Sequence, residues 1–151
     1  MPAAFRRVIV KVSGQALSGE DDRPVSHEAA ARLAAELKAA VDAGAQVGCV
    51  VGGGNIVRGV EAERAGADRV TADLMGMAAT VVNGLALKNA LETLGQAAAV
   101  MSAVEMGQIA PRVQRGEADR LLSEGVVPGS IGDILHEIFQ DVGLPLLGEG
   151  E

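Results

Sequence analysis

Two kinds of hydrophobic pattern alternate along the chain. Residues 5–12, FRRVIVKV, place a β-branched run behind two arginines, which predicts a largely buried strand. Ser13-Gly14 ends it, and residues 19–24 (GEDDRP) read as a polar loop. Ser26 is placed to cap a helix over about residues 27–43, with Leu33, Leu37 and Val41 on its apolar face and Gly44 as its stop. Residues 46–51 (QVGCVV) predict a second strand, ending in Gly52-Gly53-Gly54. A strand–helix–strand order of this kind implies a parallel sheet. Residues 55–64 open a second crossover, and 68–94 carry a long helical pattern. Gly76 and Gly84 interrupt that pattern, each at about 1 kcal/mol relative to Ala. Its apolar positions lie on more than one face, so the helix is expected to be buried nearly all round, with a second subunit as one of its neighbours. Residues 96–102 predict a third strand and 117–124 a short helix. A fourth strand starts at 125–127 and is expected to stop at Pro128-Gly129. An amphipathic helix is expected over 131–142, before a loose acidic end.

The fold class expected is α/β, a three-layer sandwich with a mainly parallel sheet. Composition narrows the function. The chain has 151 residues, the size of one domain, and 48% are hydrophobic, but only 1% are aromatic, with no Trp or Tyr. That disfavours proteins that stack bases or sugars on exposed rings. The formal net charge is −7 and the 13 Lys and Arg are scattered, so no basic stripe for a nucleic-acid backbone is visible. The single cysteine, Cys49, sits in an apolar run and reads as a core residue without disulfide or zinc chemistry. Each apolar run is broken by charges or glycines, and the first residues lead directly into a strand. No membrane span or signal segment is therefore expected, and the cytosol is the expected compartment.

The chemistry concentrates at two glycine-containing turns. In open α/β sheets, ligands bind beyond the carboxyl ends of the strands, and both turns belong there, side by side. Glycines at 52–54 let backbone N–H groups approach an anion, and a following helix N-terminus would add positive charge. Lys11, Ser13, Gly14 and Arg58 complete a candidate phosphate cradle of cations, amides and a hydroxyl. The dinucleotide pattern G-x-G-x-x-G fails at Val57, and no phosphate-binding G-x-x-x-x-G-K-[ST] occurs. On pattern alone, the glycine run is equally well a tight strand-to-helix turn. His27 and His136 are too far apart in sequence to suggest a metal pair or a triad. Glu20, Asp21 and Asp22 read as a solvated acidic loop rather than a cation site.

Three motifs point further. Residues 11–17, KVSGQAL, resemble the K-x-S-G-E-A-L opening of UMP kinases, in the amino-acid kinase family. Residues 51–59, VGGGNIVRG, are similar to that family's glycine loop with its arginine. The run DRVTADLMGMAATVVNGLAL at 68–87 resembles the segment that separates UMP kinases from other members. The resemblance is collinear over about residues 5–127. It implies phosphoryl transfer from Mg-ATP to UMP, giving UDP in pyrimidine nucleotide biosynthesis, with Mg²⁺ as the ATP-bound cofactor and a homo-oligomer, commonly a hexamer. It assigns Lys11 and Arg58 as catalytic residues, and Lys11, Val12, Ser13, Gly14, Gly54 and Arg58 to ATP. It assigns Gly53 to the UMP phosphate and Asp73 to the UMP nucleoside. For Asp73 the plain alternative is a carboxylate favouring the helix dipole.

The sequence also departs from that pattern. Gln15 stands where the family usually has Glu. After Val127 the family's G-T-G-N-P-[FY]-F-T-T-D segment and its adenine-binding half are not found; residues 128–151 read PGSIGDILHEIFQDVGLPLLGEGE. The expected organisation is a kinase-like part at 1–127 and a divergent tail at 128–151, as if an internal deletion joined the first half to the family's last helix. The alternative reading is a non-catalytic nucleotide-binding or oligomerisation module that has lost its ATP-binding half.

Overall fold

A computed structural model describes residues 4–21, 23–57 and 59–131. Its strands are β1 (Arg7–Val12), β2 (Gln46–Val51), β3 (Ala98–Ser102) and β4 (Val127–Ile131), the first two formed by the β-branched runs. They form one parallel sheet in the order β1-β2-β4-β3. The helices are α1 (His27–Asp42), α2 (Gly59–Arg64), α3 (Arg69–Thr93) and α4 (Arg115–Ser123), with a 3₁₀ turn at Gly14–Leu17.

Strand alternation sorts the layers. On one face Val8, Val10 and Val12 of β1 join a cluster with Ala30, Ala34 and Leu37 of α1 and Leu87 and Leu91 of α3. On the other face Ile9 packs with Met101 and with Ala118, Leu121 and Leu122 of α4. The sheet is thus covered by α1 and α3 on one side and by α4 on the other, the three-layer α/β arrangement expected. Arg7 fastens the α4 layer, donating to the Asp119 carboxylate at 2.8 Å and to Gln46 at 2.8 Å.

The punctuation residues act as expected. Ser26 accepts from the Ala29 amide at 3.2 Å and starts α1, and Gly44, with φ +97°, follows its end. Asp68 caps α3 in the same way, accepting from the Thr71 amide and hydroxyl, and these bonds hold its carboxyl below the usual carboxylate range.

Several expectations are corrected. β4 does not stop at Pro128-Gly129 but runs through both to Ile131, so no helix begins at Ile131. Pro128 lacks an N–H, yet it pairs beside Ala99 of β3 before the β2 register begins at Cys49↔Gly129, where only one neighbour is alongside. β3 starts at Ala98 rather than at residue 96, because the Gln96 backbone amide still donates to the Leu91 carbonyl at the end of α3 (2.9 Å), while its side-chain amide bridges the Ala97 and Gly125 carbonyls at 2.9 and 2.8 Å. α4 begins at Arg115, two residues earlier than expected. The remainder of the helix expected at 131–142 lies outside the described residues, as do the acidic end and His136.

α3 is not buried all round. Val81, Leu87 and Leu91 face the interior, while Val70, Leu74, Met75, Val82 and Leu85 are exposed. Contrary to the expectation of no membrane-length run, α3 is long and apolar enough to cross a membrane by length and composition. In this fold its inner side is taken up by the sheet instead.

Cys49 is fully buried in β2, and desolvation pushes its thiol up to about 12. The thiolate is the reactive form, so Cys49 should resist alkylation at pH 8 in the native protein and react promptly in denaturant. Mass spectrometry after iodoacetamide treatment checks this; rapid native labelling would contradict the buried assignment.

Candidate functional site: two interlocked glycine turns under a long helix

β1 and β2 end in register, with Lys11 opposite Val50 and Val12 opposite Val51. Their turns therefore emerge together. The Gly52 amide donates to the Val12 carbonyl at 2.9 Å, which extends the pairing one residue past the strands. The turns then meet backbone to backbone. A Cβ on Gly52 would lie 3.3 Å from the Gly14 amide nitrogen, and one on Gly14 would lie 3.0 Å from the Gly54 nitrogen and collide with the Asn55 side chain. Neither position accepts a larger residue without moving the other turn.

Gly53 meets α3 in the same way. A Cβ there would sit 2.9 Å from the Thr80 nitrogen and 3.0 Å from the Gly76 carbonyl oxygen. Its missing side chain is thus required by helix packing before any ligand is considered. Gly54 is different: it is exposed, and a Cβ there would meet nothing within 4 Å. The space beside Gly54 is open to an incoming group.

The glycines do not lead directly into a helix, as had been expected. The Gly53 carbonyl accepts from the Ile56 and Val57 amides at 3.0 and 3.1 Å, closing a turn, and α2 starts only at Gly59 and has six residues. No helix N-terminus therefore follows the glycines directly, and the Gly52, Ile56 and Val57 amides are spent on backbone carbonyls.

α3 presents one stripe to the glycine loop. Positions 73, 76, 80 and 83 recur at helical spacing on one face. Asn83 reaches Gly52, Gly76 and Thr80 touch Gly53, and Asp73 stands one turn further toward the helix start. Asp73 is exposed, and no side chain or amide among the described residues bonds to it. It lies beyond the first turn of α3, where Asp68 already serves as cap. The helix-dipole explanation therefore fits Asp68 better than Asp73.

Lys11 is exposed at the end of β1, with no ion-pair partner among the described residues. By alternation it shares the face of Ile9, the α4 side, whereas α3 and Asp73 belong to the opposite layer. The turns lie between them. The Ser13 hydroxyl precedes the 3₁₀ turn without capping it, and Leu17, fully buried, pins that turn to the core. The structure thus brings Gly14, Gly53 and Gly54 together, with Lys11 and Ser13 leading into the first turn, the Val12 side chain in the core and Asp73 one helical turn from Gly76; Arg58 lies outside the described residues. Among the described residues, no group of three His, Cys, Asp or Glu side chains surrounds a point where a metal could sit.

Sequence reasoning gave no role to Asn55 and Asn83. Asn83 has 0% exposure, and its amide nitrogen donates to the Gly52 carbonyl and to Asn55 Oδ1, each at 2.7 Å. Asn55 donates back to Asn83 Oδ1 at 3.1 Å and to the Pro24 carbonyl. The available signal was a lone carboxamide in the apolar run of α3.

Residues 6–142 match the amino acid kinase family. The chain belongs to that family. It is 46% identical to uridylate kinase of Methylococcus capsulatus over 123 residues, which are 82% of this chain and 52% of that protein. UMP kinase of Ureaplasma parvum superposes with a TM-score of 0.77 at 32% identity, over 83% of this chain and 55% of that one. Aspartate kinase from Synechocystis shares the fold, with a TM-score of 0.60 at 19% identity. The chain spans about half the length of the uridylate kinases it matches.

The contrast between the two central glycines is testable. Gly53→Ala should destabilise the protein by about 1–3 kcal/mol, because Cβ meets helix backbone. Gly54→Ala should leave stability nearly unchanged yet weaken binding of a phosphomonoester about tenfold if the open space is the anion's approach. Urea denaturation and UMP titration measure the two effects; equal stability losses would refute the distinction.

Proposed function

We propose that this chain supplies the phosphate-gripping and nucleoside-monophosphate-binding part of a UMP kinase. The observation that carries the reading is the placement of Asp73 on the stripe of α3 that packs on the glycine turns. The similarity to uridylate kinases over most of the chain supports it.

In this reading the UMP phosphate sits over the Gly53 turn, and the Asp73 carboxylate accepts hydrogen bonds from the ribose hydroxyls. A UMP phosphate oxygen attacks the γ-phosphorus of ATP. The new P–O bond forms as the bond to the β-bridging oxygen breaks, and ADP carries the electron pair away. Such transfers need positioning and charge stabilisation more than an acid–base pair. Lys11 and Arg58 supply cationic charge, and the Gly14 and Gly54 amides with the Ser13 hydroxyl supply neutral donors on the ATP side. Mg²⁺ bound with ATP would neutralise triphosphate charge. The compartment proposed is the cytosol, and the partner proposed is a second copy of the chain.

A second reading, a nucleotide-binding or oligomerisation module without turnover, is favoured by the exposed apolar face of α3: Val70, Leu74, Met75, Val82 and Leu85.

UMP should bind the chain, and Asp73→Ala should weaken binding about tenfold to a hundredfold, the range of hydrogen bonds to a charged group. Lys11→Ala should leave UMP affinity nearly intact and abolish UDP formation from UMP and Mg-ATP. Calorimetry and a coupled UDP assay decide. Binding without turnover selects the second reading, and no UMP binding by folded protein refutes both nucleotide readings.

A further inference from the structure

We propose that the Asn55–Asn83 amide pair is a positioning device that locks the two glycine turns and α3 into one unit, and thereby sets affinity for the phosphomonoester. The consequence for affinity rests on the function proposed above; the locking does not.

The pair uses its whole donor capacity. Each carboxamide has two N–H groups. Those of Asn83 go to the Gly52 carbonyl and Asn55 Oδ1; those of Asn55 go to Asn83 Oδ1 and the Pro24 carbonyl. The orientation is dictated, because turning either amide over would set its oxygen against a carbonyl oxygen.

Four segments converge on these two side chains. Gly52 belongs to the second turn and Pro24 to the loop before α1. Asn83 belongs to α3, and Asn55 Oδ1 lies where a Gly14 side chain would stand, against the first turn. No other side-chain pair among the described residues joins both turns to α3. Asn83 is completely buried whereas Asn55 is half-buried, so loss of Asn55 leaves Asn83 polar atoms with little water to replace it, and loss of Asn83 leaves the Gly52 carbonyl without its side-chain donor. The pair should therefore behave as one unit whose halves are not independently useful.

Asn55 and Asn83 touch the turns and not the reacting atoms, so they are positioning residues. The test compares the full chain with Asn55→Ala, Asn83→Ala and the double variant. Hydrogen exchange follows the Ala16 and Ser18 amides of the first turn and the Ile56 and Val57 amides of the second, with the Ala43 amide at the end of α1 as control. UMP titration is run at a temperature where every variant compared is folded. Expected is a joint loss of protection in both turns in either single variant, with Ala43 unchanged. UMP affinity should fall about tenfold in each single variant and no further in the double variant.

Additive effects, or exchange confined to the substituted residue's own segment, would overturn the proposal. If Asn83→Ala does not fold, Asn55→Ala alone still decides through exchange in the first turn, which contains neither asparagine. If the unsubstituted chain does not bind UMP while the exchange remains coupled, the functional reading fails and the locking stands.

Discussion

Everything at the carboxyl ends of β1 and β2 depends on close backbone approach. The turn after β1 touches the turn after β2, and the turn after β2 touches α3, at distances that exclude side chains at Gly14 and Gly53. Each contact requires glycine for space rather than for unusual dihedral angles: none of Gly14, Gly52, Gly53 or Gly54 has positive φ. Such an arrangement gains little hydrophobic energy where it meets and must be held from outside. The buried clusters under α1 and α3 hold the helices down, and side-chain amides hold the turns. The rigidity of the site is therefore borrowed from the core, through Leu17 on one side and Asn83 on the other.

The same constraint explains the composition of α3. The helix meets the glycine loop through its backbone at Gly76 and Thr80 and through the small side chain of Ala79, so it is Gly53 on the loop that must lack a Cβ. The helix needs bulk where it meets the sheet, and Val81, Leu87 and Leu91 provide it. Gly76 weakens the helix by about 1 kcal/mol relative to Ala. A Cβ at position 76 would meet nothing within 4 Å, so no packing contact among the described residues requires glycine there, and length and the remaining apolar surface keep the helix formed.

Local signals were legible in the sequence, and tertiary ones were not. Ser26, Gly44 and Asp68 mark helix ends because capping is a matter of the next few residues. The β1–α1–β2 unit follows from periodicity alone. Pro128-Gly129 misled because the rule against proline in a central strand assumes neighbours on both sides, whereas β2 joins the ladder only at Gly129. The helix dipole expected after Gly54 failed because the Gly53 carbonyl closes a turn first. α3 reads as buried all round because periodicity reports which residues are apolar, not whether a neighbour exists on each side. Lys11, Gly14 and Gly54 were reached from the two glycine turns at the strand ends and given roles by a resembling motif, while Asn83 needed the fold, since its partners are 28 and 31 residues away.

Strand alternation carries the argument one step further. Lys11 rises on the α4 face of the sheet and Asp73 on the α3 face, with the glycine turns between them. A phosphorylated group resting on the turns would therefore be reached by a cation from one layer and by a hydroxyl acceptor from the other. The two side chains rise from opposite faces of the sheet, and neither has an ion-pair partner among the described residues. Two opposite charges kept apart across a backbone cradle are poorly explained as a stabilising device, because each remains solvated and uncompensated. They are well explained if the ligand has a negative end and a hydroxyl-bearing end that must be oriented relative to one another. The division of the sheet into two faces, set by the alternation of seven β-branched residues in β1 and β2, would in the function proposed above become a division of labour between two layers.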